Sequence, residues 1–265
     1  MTCLNEGIAY EIPLIISISE FENKITALRE NFSDLPVDFN LVSSEGRRKK
    51  LLIADMESTI IEQECLDELA DSLNLRNKIS DITSRAMRGE IDFEPALRER
   101  VALLAGLPVT SLQDVHDDVT LMPGAATLLA TLKQNNVFCG LVSGGFSFFA
   151  DKIAAQLNFD ACHCNQFEVE ADHLTGKVID PILGREAKAI RLQSWCDEKN
   201  LPAAETLAVG DGSNDLDMLK LSGMGVAFRA KPLVANAAAF SIVHGDLTAL
   251  LYLQGYQAEE IQFKS

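Results

Sequence analysis

The stretch Leu51-Leu52-Ile53-Ala54-Asp55-Met56-Glu57-Ser58-Thr59 constrains the chain most. Four consecutive apolar residues bounded by polar ones read as a strand buried on both faces, which is the pattern of a parallel sheet. The run ends abruptly in two acids and two hydroxyls. In open α/β sheets the chemistry sits just beyond the carboxyl ends of the strands. The pattern recurs twice. Val137–Val142 ends in Ser143-Gly144-Gly145, and Thr206–Val209 ends in Gly210-Asp211-Gly212-Ser213-Asn214-Asp215. Helical periodicity follows each cluster, so repeated strand-then-helix units predict a doubly wound parallel sheet.

Between the first two clusters lies a region without strand signals. Leu66, Leu69, Ala70 and Leu73 repeat at helical spacing, and Leu97, Val101 and Leu104 do so on a later helix that Asp92 can cap. Thr110-Ser111-Leu112-Gln113 reads as a capping box that opens another. Residues 62–121 therefore read as a helical cap inserted after the first acidic strand. The core is expected over 49–61 and 122–265, with a hairpin around Ala171-Asp172-His173. Residues 1–48 read as a small βαβ-like α+β segment, with strands over 8–18 and 36–43 and a helix from Ser19 to Asn31.

The charge balance excludes some functions. A formal net charge of −16 over 265 residues argues against nucleic acid as a partner, because such binding needs a basic stripe. The basic run Arg47-Arg48-Lys49-Lys50 is short and reads as a solvated linker. No apolar run is long enough to span a membrane, and the first residues lack the pattern of a secretion signal, so the expected compartment is the cytoplasm. The six cysteines read as reduced thiols. Cys162-His163-Cys164 resembles half a metal site, but no second Cys/His pair stands at zinc-site spacing, and the run reads as structural. Oligomeric state is not legible.

If the three polar clusters share one sheet edge, Asp55 and Asp211 offer hard carboxylate oxygens suited to Mg²⁺. Ser143 and Gly144, expected at a helix N-terminus, offer a hydroxyl and backbone N–H groups to a phosphate. That combination points to phosphoryl transfer. Asp55-x-Glu57-Ser58-Thr59, Val142-Ser143-Gly144-Gly145-Phe146, Lys188 and Gly210-Asp211-Gly212-Ser213-Asn214-Asp215 together resemble the four ordered motifs of the haloacid dehalogenase superfamily. The similarity is closest to the branch that hydrolyses O-phospho-L-serine. It covers roughly 50–265 and extends into the cap, where Glu64, Met87, Phe93 and Arg98-Glu99-Arg100 fall at expected substrate-recognition positions.

The resemblance implies a Rossmann-like core with an inserted helical cap, and a role for each matched residue. Asp55 is the implied nucleophile and Glu57 the general acid/base. Mg²⁺ is implied on the Asp55 carboxylate, the Glu57 backbone carbonyl and Asp211, with Asp215 behind them. Ser143, Gly144, Lys188 and Asn214 would hold the phosphate. Glu64 would take the substrate ammonium and Arg100 its carboxylate. One residue departs from the pattern: the second acid is normally Asp, and here it is Glu57. Two alternatives stay open: a phosphatase or phosphotransferase of the same fold acting on another small phosphomonoester, or, because of Glu57, a catalytically weak binding or regulatory relative that keeps the fold.

Overall fold

The computed structural model describes residues 1–15, 25, 27–29, 31–32, 34–87 and 90–264. Strands β1 (Thr2–Asn5) and β2 (Ala9–Glu11) form an antiparallel hairpin. The core strands are β3 (Leu51–Ala54), β4 (Phe138–Phe146) and β5 (Ala161–Asn165). After a second hairpin, β6 (Phe167–Glu170) with β7 (His173–Val178), come β8 (Thr206–Gly210), β9 (Met224–Phe228) and β10 (Phe240–Ile242). Six of these make one sheet in the order β10-β9-β8-β3-β4-β5, with every pairing parallel.

Alternation along β3 explains the two helical layers. Leu52 and Ala54 face one core cluster and Leu51 and Ile53 the other, all fully buried. Burying each of these larger side chains contributes about 1.5–3 kcal/mol. The helices are α1 (Cys65–Ser72), α2 (Arg76–Met87), α3 (Phe93–Ala102), α4 (Val109–Asp117), α5 (Ala125–Gln134), α6 (Ser147–Gln156), α7 (Arg185–Lys199), α8 (Leu216–Leu221), α9 (Pro232–Ala237) and α10 (Ala249–Leu253). α5, α6 and α10 pack on the Leu52 face, and α7 and α8 on the Leu51 face.

α1 to α4 form the cap. The chain leaves the core at Ile61 and returns at Leu121, which pair as an isolated antiparallel bridge. Glu62 N–H donates to the Thr120 carbonyl at 3.0 Å, and Met122 N–H to the Ile60 carbonyl at 2.9 Å. The β6–β7 hairpin is fastened to the cap. Gly106 N–H donates to the Leu174 carbonyl, and Leu174 N–H to the Leu107 carbonyl, both at 2.8 Å. Arg98 of α3 pairs with Asp180 just beyond the hairpin at 2.5 Å. Among the described residues, no helix is long and apolar enough to cross a membrane.

Four expectations need correction. Residues 36–43 form no strand. They dock by side chains instead: Asp38 accepts from the N–H groups of Val243, His244 and Gly245, and Asn40 exchanges two hydrogen bonds with Ser241 of β10. Such side-chain pairing satisfies the sheet edge without a ladder. The 1–48 segment is thus not a simple βαβ unit. Its first strand stops at Glu11, and most of the Ser19–Asn31 helix lies outside the described residues. Thr110 does not cap α4, whose N-cap is Pro108. Finally, β4 does not end at Ser143. It runs on to Phe146, with its pairing to β5 shifted between Val142 and Phe146, so α6 starts later than expected.

Candidate active site

Chain order reverses across β3: β4 and β5 lie on one side, and β8 to β10 on the other. A crevice opens beyond the strand ends at such a switch point. Asp55 stands there, 5% exposed, with its N–H donating to the Val209 carbonyl at 3.0 Å. Lys188, from the first turns of α7, is fully enclosed. Its Nζ lies 2.8 Å from Asp55 Oδ1 and 2.6 Å from Asp215 Oδ1. Asp215 Oδ2 accepts the Gly212 N–H at 2.9 Å. Gly210 makes this arrangement possible, because a Cβ there would stand 2.3 Å from the Asp215 carboxyl carbon. Asp211 completes the group and accepts from Thr59 Oγ1 at 3.5 Å.

Carboxylate oxygens of Asp55, Asp211 and Asp215 lie within 4.8 Å of one another. Burial, and then the Asp215 charge, push the Asp55 carboxyl well above its usual range despite Lys188. Burial and Asp215 likewise push Asp211 up to about 6. Burial alone would lower the Lys188 ammonium, but Asp215 and Asp55 hold it above its ordinary value. Three acids around one lysine leave an excess of negative charge, and all the free donors are hard oxygens. These residues fit a Mg²⁺ ion.

Glu57 sits where cap meets core. Its Oε1 accepts the N–H of Cys65 at 2.9 Å. That is the first amide of α1, a donor with no partner inside its own helix. Its Oε2 lies 2.9 Å from where a Cβ on Gly145 would stand. Burial, and then the Glu64 charge, raise the Glu57 carboxyl to about 7, while the Cys65 N–H and Arg100 pull the other way. A carboxyl whose folded-state value is raised gives stability that is complete below its ordinary value near 4.5 and lost as pH rises through about 7. For Glu57 that loss is on the order of 3 kcal/mol. In the metal-free protein, Glu57→Gln is therefore expected to melt above wild type at pH 8 and to match it at pH 4. Thermal melts across that range check this; equal melting temperatures at pH 8 would show that Glu57 is not charged at a cost there.

Glu64 is the N-cap residue of α1 and accepts from Ser58 Oγ at 2.7 Å. Arg100, in the last turn of α3, faces Glu57, Asp67 and Glu64, and its Nε has no protein partner among the described residues. Burial lowers its guanidinium while those three acids oppose the fall. Arg98 and Glu99 turn elsewhere, Arg98 to Glu94 and Asp180 and Glu99 to Arg85. The Met87 side chain lies outside the described residues. Phe93 reaches over the core, 3.6 Å from where a Gly144 Cβ would stand and 3.7 Å from a Gly184 one.

Ser143 is buried within the bulged end of β4, where its Oγ accepts the Gly145 N–H at 2.9 Å. It is not at a helix N-terminus. Asn214 lies in the one-turn helix Ser213–Asp215 beside the acid group, half-buried. Sequence reasoning missed Asn165, which closes β5. Its Nδ2 donates to the Gly144 carbonyl at 2.8 Å and its Oδ1 accepts the Leu183 N–H at 2.7 Å, fixing the loop under Phe93. The signal was present: β5 also ends in a polar residue, an amide instead of an acid.

The family model for haloacid dehalogenase-like hydrolases matches residues 52–220. The chain is 45% identical over 203 residues to the phosphoserine phosphatase of Lactococcus lactis, covering 77% of this chain and 94% of that protein. It is 41% identical over 216 residues to the phosphoserine phosphatase SerB2 of Mycobacterium tuberculosis, covering 82% of this chain but 53% of that longer protein. Among solved structures, a hydrolase of the family from Salmonella enterica serovar Typhi, t0658, superposes with a TM-score of 0.83 at 32% identity, covering 87% of this chain and 79% of that one. A substrate-bound phosphoserine phosphatase complex superposes with a TM-score of 0.73 at 34% identity, covering 77% of this chain and 98% of that one.

Proposed function

Because the chain belongs to the haloacid dehalogenase-like hydrolases, we propose that it hydrolyses O-phospho-L-serine to L-serine and phosphate through an aspartyl-phosphate on Asp55, with Mg²⁺ as cofactor. The observation that carries this reading is the position of Glu57. It stands between the lysine-bridged Asp55 and the cap pair Glu64 and Arg100, so nucleophile, proton carrier and substrate grip share one crevice.

The sequence of events follows from those positions. Asp55 attacks phosphorus, and the bond from phosphorus to the serine oxygen breaks while Glu57 gives that oxygen its proton. Glu57, now a carboxylate, takes a proton from water as the water attacks the same phosphorus. The bond to Asp55 breaks and phosphate leaves. A carboxyl near 7 is suited to both halves of this exchange. Lys188, the Ser143 hydroxyl and the Gly144 backbone hold the phosphoryl oxygens, with Asn214 beside them. When bound, Mg²⁺ neutralises charge between Asp55 and the phosphate, and the residues that would hold it are Asp55, the Glu57 backbone carbonyl and Asp211, supported by Asp215. The cap comprises 62–121 and the core 49–61 and 122–265. The partner is a small molecule, met in the cytoplasm.

Substrate identity is tested on the cap. Arg100→Ala removes a charged grip on the substrate carboxylate and is expected to raise KM for phosphoserine about 10- to 100-fold. Glu64→Gln acts in the same direction through the ammonium. Because Glu64 and Arg100 also bias the Glu57 carboxyl, the control is read on binding: neither change should raise KM for p-nitrophenyl phosphate, which has neither group. Phosphoserine kinetics untouched by both would sink the assignment.

Glu57 itself is tested by restoring the commoner acid. Glu57→Asp draws the carboxyl back by about one C–C bond, roughly 1.5 Å, away from the Cys65 N–H. A misplacement of that size is expected to lower kcat about 100-fold. Steady-state assays decide it; unchanged kcat would show that the extra methylene has no part in positioning.

A further inference from the structure

Strand alternation divides the Cys162-His163-Cys164 run. The two cysteines leave β5 on one face and His163 on the other. His163 Nε2 accepts from Arg191 at 3.0 Å, which engages the ring on its own side. On the cysteine face α6 packs over β5 and brings Asp151 beside both thiols. The two Sγ atoms and an Asp151 carboxylate oxygen lie within 4.8 Å of one another. Both cysteines are free and half-buried, and Asp151 is exposed. A cavity of about 410 Å³ opens alongside, lined by these residues together with Ser147, Asn165 and Asp180.

We infer that Asp151, Cys162 and Cys164 form a binding site for a thiophilic divalent cation, Zn²⁺ foremost, separate from the acid group at Asp55. Tetrahedral Zn²⁺ takes sulfur at about 2.3 Å and carboxylate oxygen at about 2.0–2.2 Å, so its donors stand roughly 3.5–3.8 Å apart. The donors here lie within reach of that spacing, and the exposed Asp151 can rotate to close the remainder. Each thiol releases its proton to water as it binds, and two thiolates with one carboxylate offset the metal charge. The fourth position faces the cavity, which has room for a water molecule. Donor chemistry keeps the two sites distinct: hard Mg²⁺ prefers the all-oxygen group, and a softer ion the thiolates. Along the chain, Cys164 adjoins Asn165, whose side chain holds the Gly144 carbonyl.

The test uses the reduced chain in saturating Mg²⁺, titrated with Co²⁺ as a spectroscopic stand-in and then with Zn²⁺. The expected result is one equivalent of Co²⁺ giving a sulfur-to-cobalt charge-transfer band, which Zn²⁺ displaces. Cys162→Ser, Cys164→Ser and Asp151→Asn should each weaken Zn²⁺ binding at least about tenfold, since even supporting residues around a metal contribute that much. In case a variant folds poorly, a second measurement uses wild type alone: Zn²⁺ should protect Cys162 and Cys164, but not Cys3, from alkylation read by mass spectrometry. No charge-transfer band, a band that survives both serine variants, full affinity in Asp151→Asn, a Cys162–Cys164 disulfide that persists through reduction, or absence of protection would each overturn the site.

Discussion

An Asp55→Asn variant is expected to lose phosphate release by about 10⁴-fold or more, on the scale of removing a nucleophile elsewhere. The amide has the volume of the carboxyl but cannot form the acyl-phosphate. The fold should survive the change. Asp55 is 5% exposed, and burial together with Asp215 already disfavours its charged form. Removing that charge leaves Lys188 with Asp215 at 2.6 Å. The variant should therefore melt no lower than wild type without Mg²⁺, while its activity is at background. An inactive variant that also unfolds would assign the loss to structure, and one that retains substantial activity would remove Asp55 from the chemistry.

Lys188→Met has the second large effect, on stability and rate together. The ammonium is almost completely enclosed, 1% exposed, and bridges two carboxylates. Removing one partner of a buried ion pair leaves uncompensated charge and costs about 3–5 kcal/mol. Asp55 and Asp215 are then left facing each other, and protonation of Asp55, whose charged form burial already disfavours, offsets part of that cost. Rate should fall about 100- to 1,000-fold from loss of a charged group aimed at the phosphoryl oxygens. Lys188→Arg should not rescue, because a planar guanidinium cannot replace a compact ammonium in a closed site. Urea unfolding with parallel kinetics separates the two effects. Saturating Mg²⁺ should restore part of the stability, since a ligand that binds only the folded form shifts the equilibrium toward it.

Much of this architecture can be read from local pattern. Leu51–Ala54 announces a strand buried on both faces because both neighbours of the central strand are parallel and both faces carry helices. The acids that follow it, and those after β8, meet because strand ends share an edge. The failures arise where long-range contacts override local pattern. Ser143-Gly144-Gly145 looks like a strand end followed by a helix, yet the segment stays extended because Asn165 and the Ser143 hydroxyl hold it. Val37, Phe39 and Leu41 alternate like a strand, but between them Asn40 docks by its side chain on Ser241 of β10 and Asp38 on the residues just after that strand.

The cap shows the same limit. Local pattern finds its helices and the β6–β7 hairpin around Ala171-Asp172-His173, but not that the hairpin is fastened to the cap, because those backbone bonds join residues more than 60 positions apart. Within Arg98-Glu99-Arg100, charge alone does not tell a surface partner from a site residue. Only the packing of α3 turns Arg100 inward and leaves Arg98 with Asp180. Asp151 stands eleven positions before Cys162, at no recognised metal spacing, and is brought to the thiols by the packing of α6 on β5.

The most direct measurement is phosphate release from O-phospho-L-serine by the wild-type chain, with and without Mg²⁺, using Asp55→Asn as the blank. The account predicts metal-dependent release that vanishes in the variant. Release that persists in Asp55→Asn, or no release from phosphoserine while other phosphomonoesters are turned over, would contradict it.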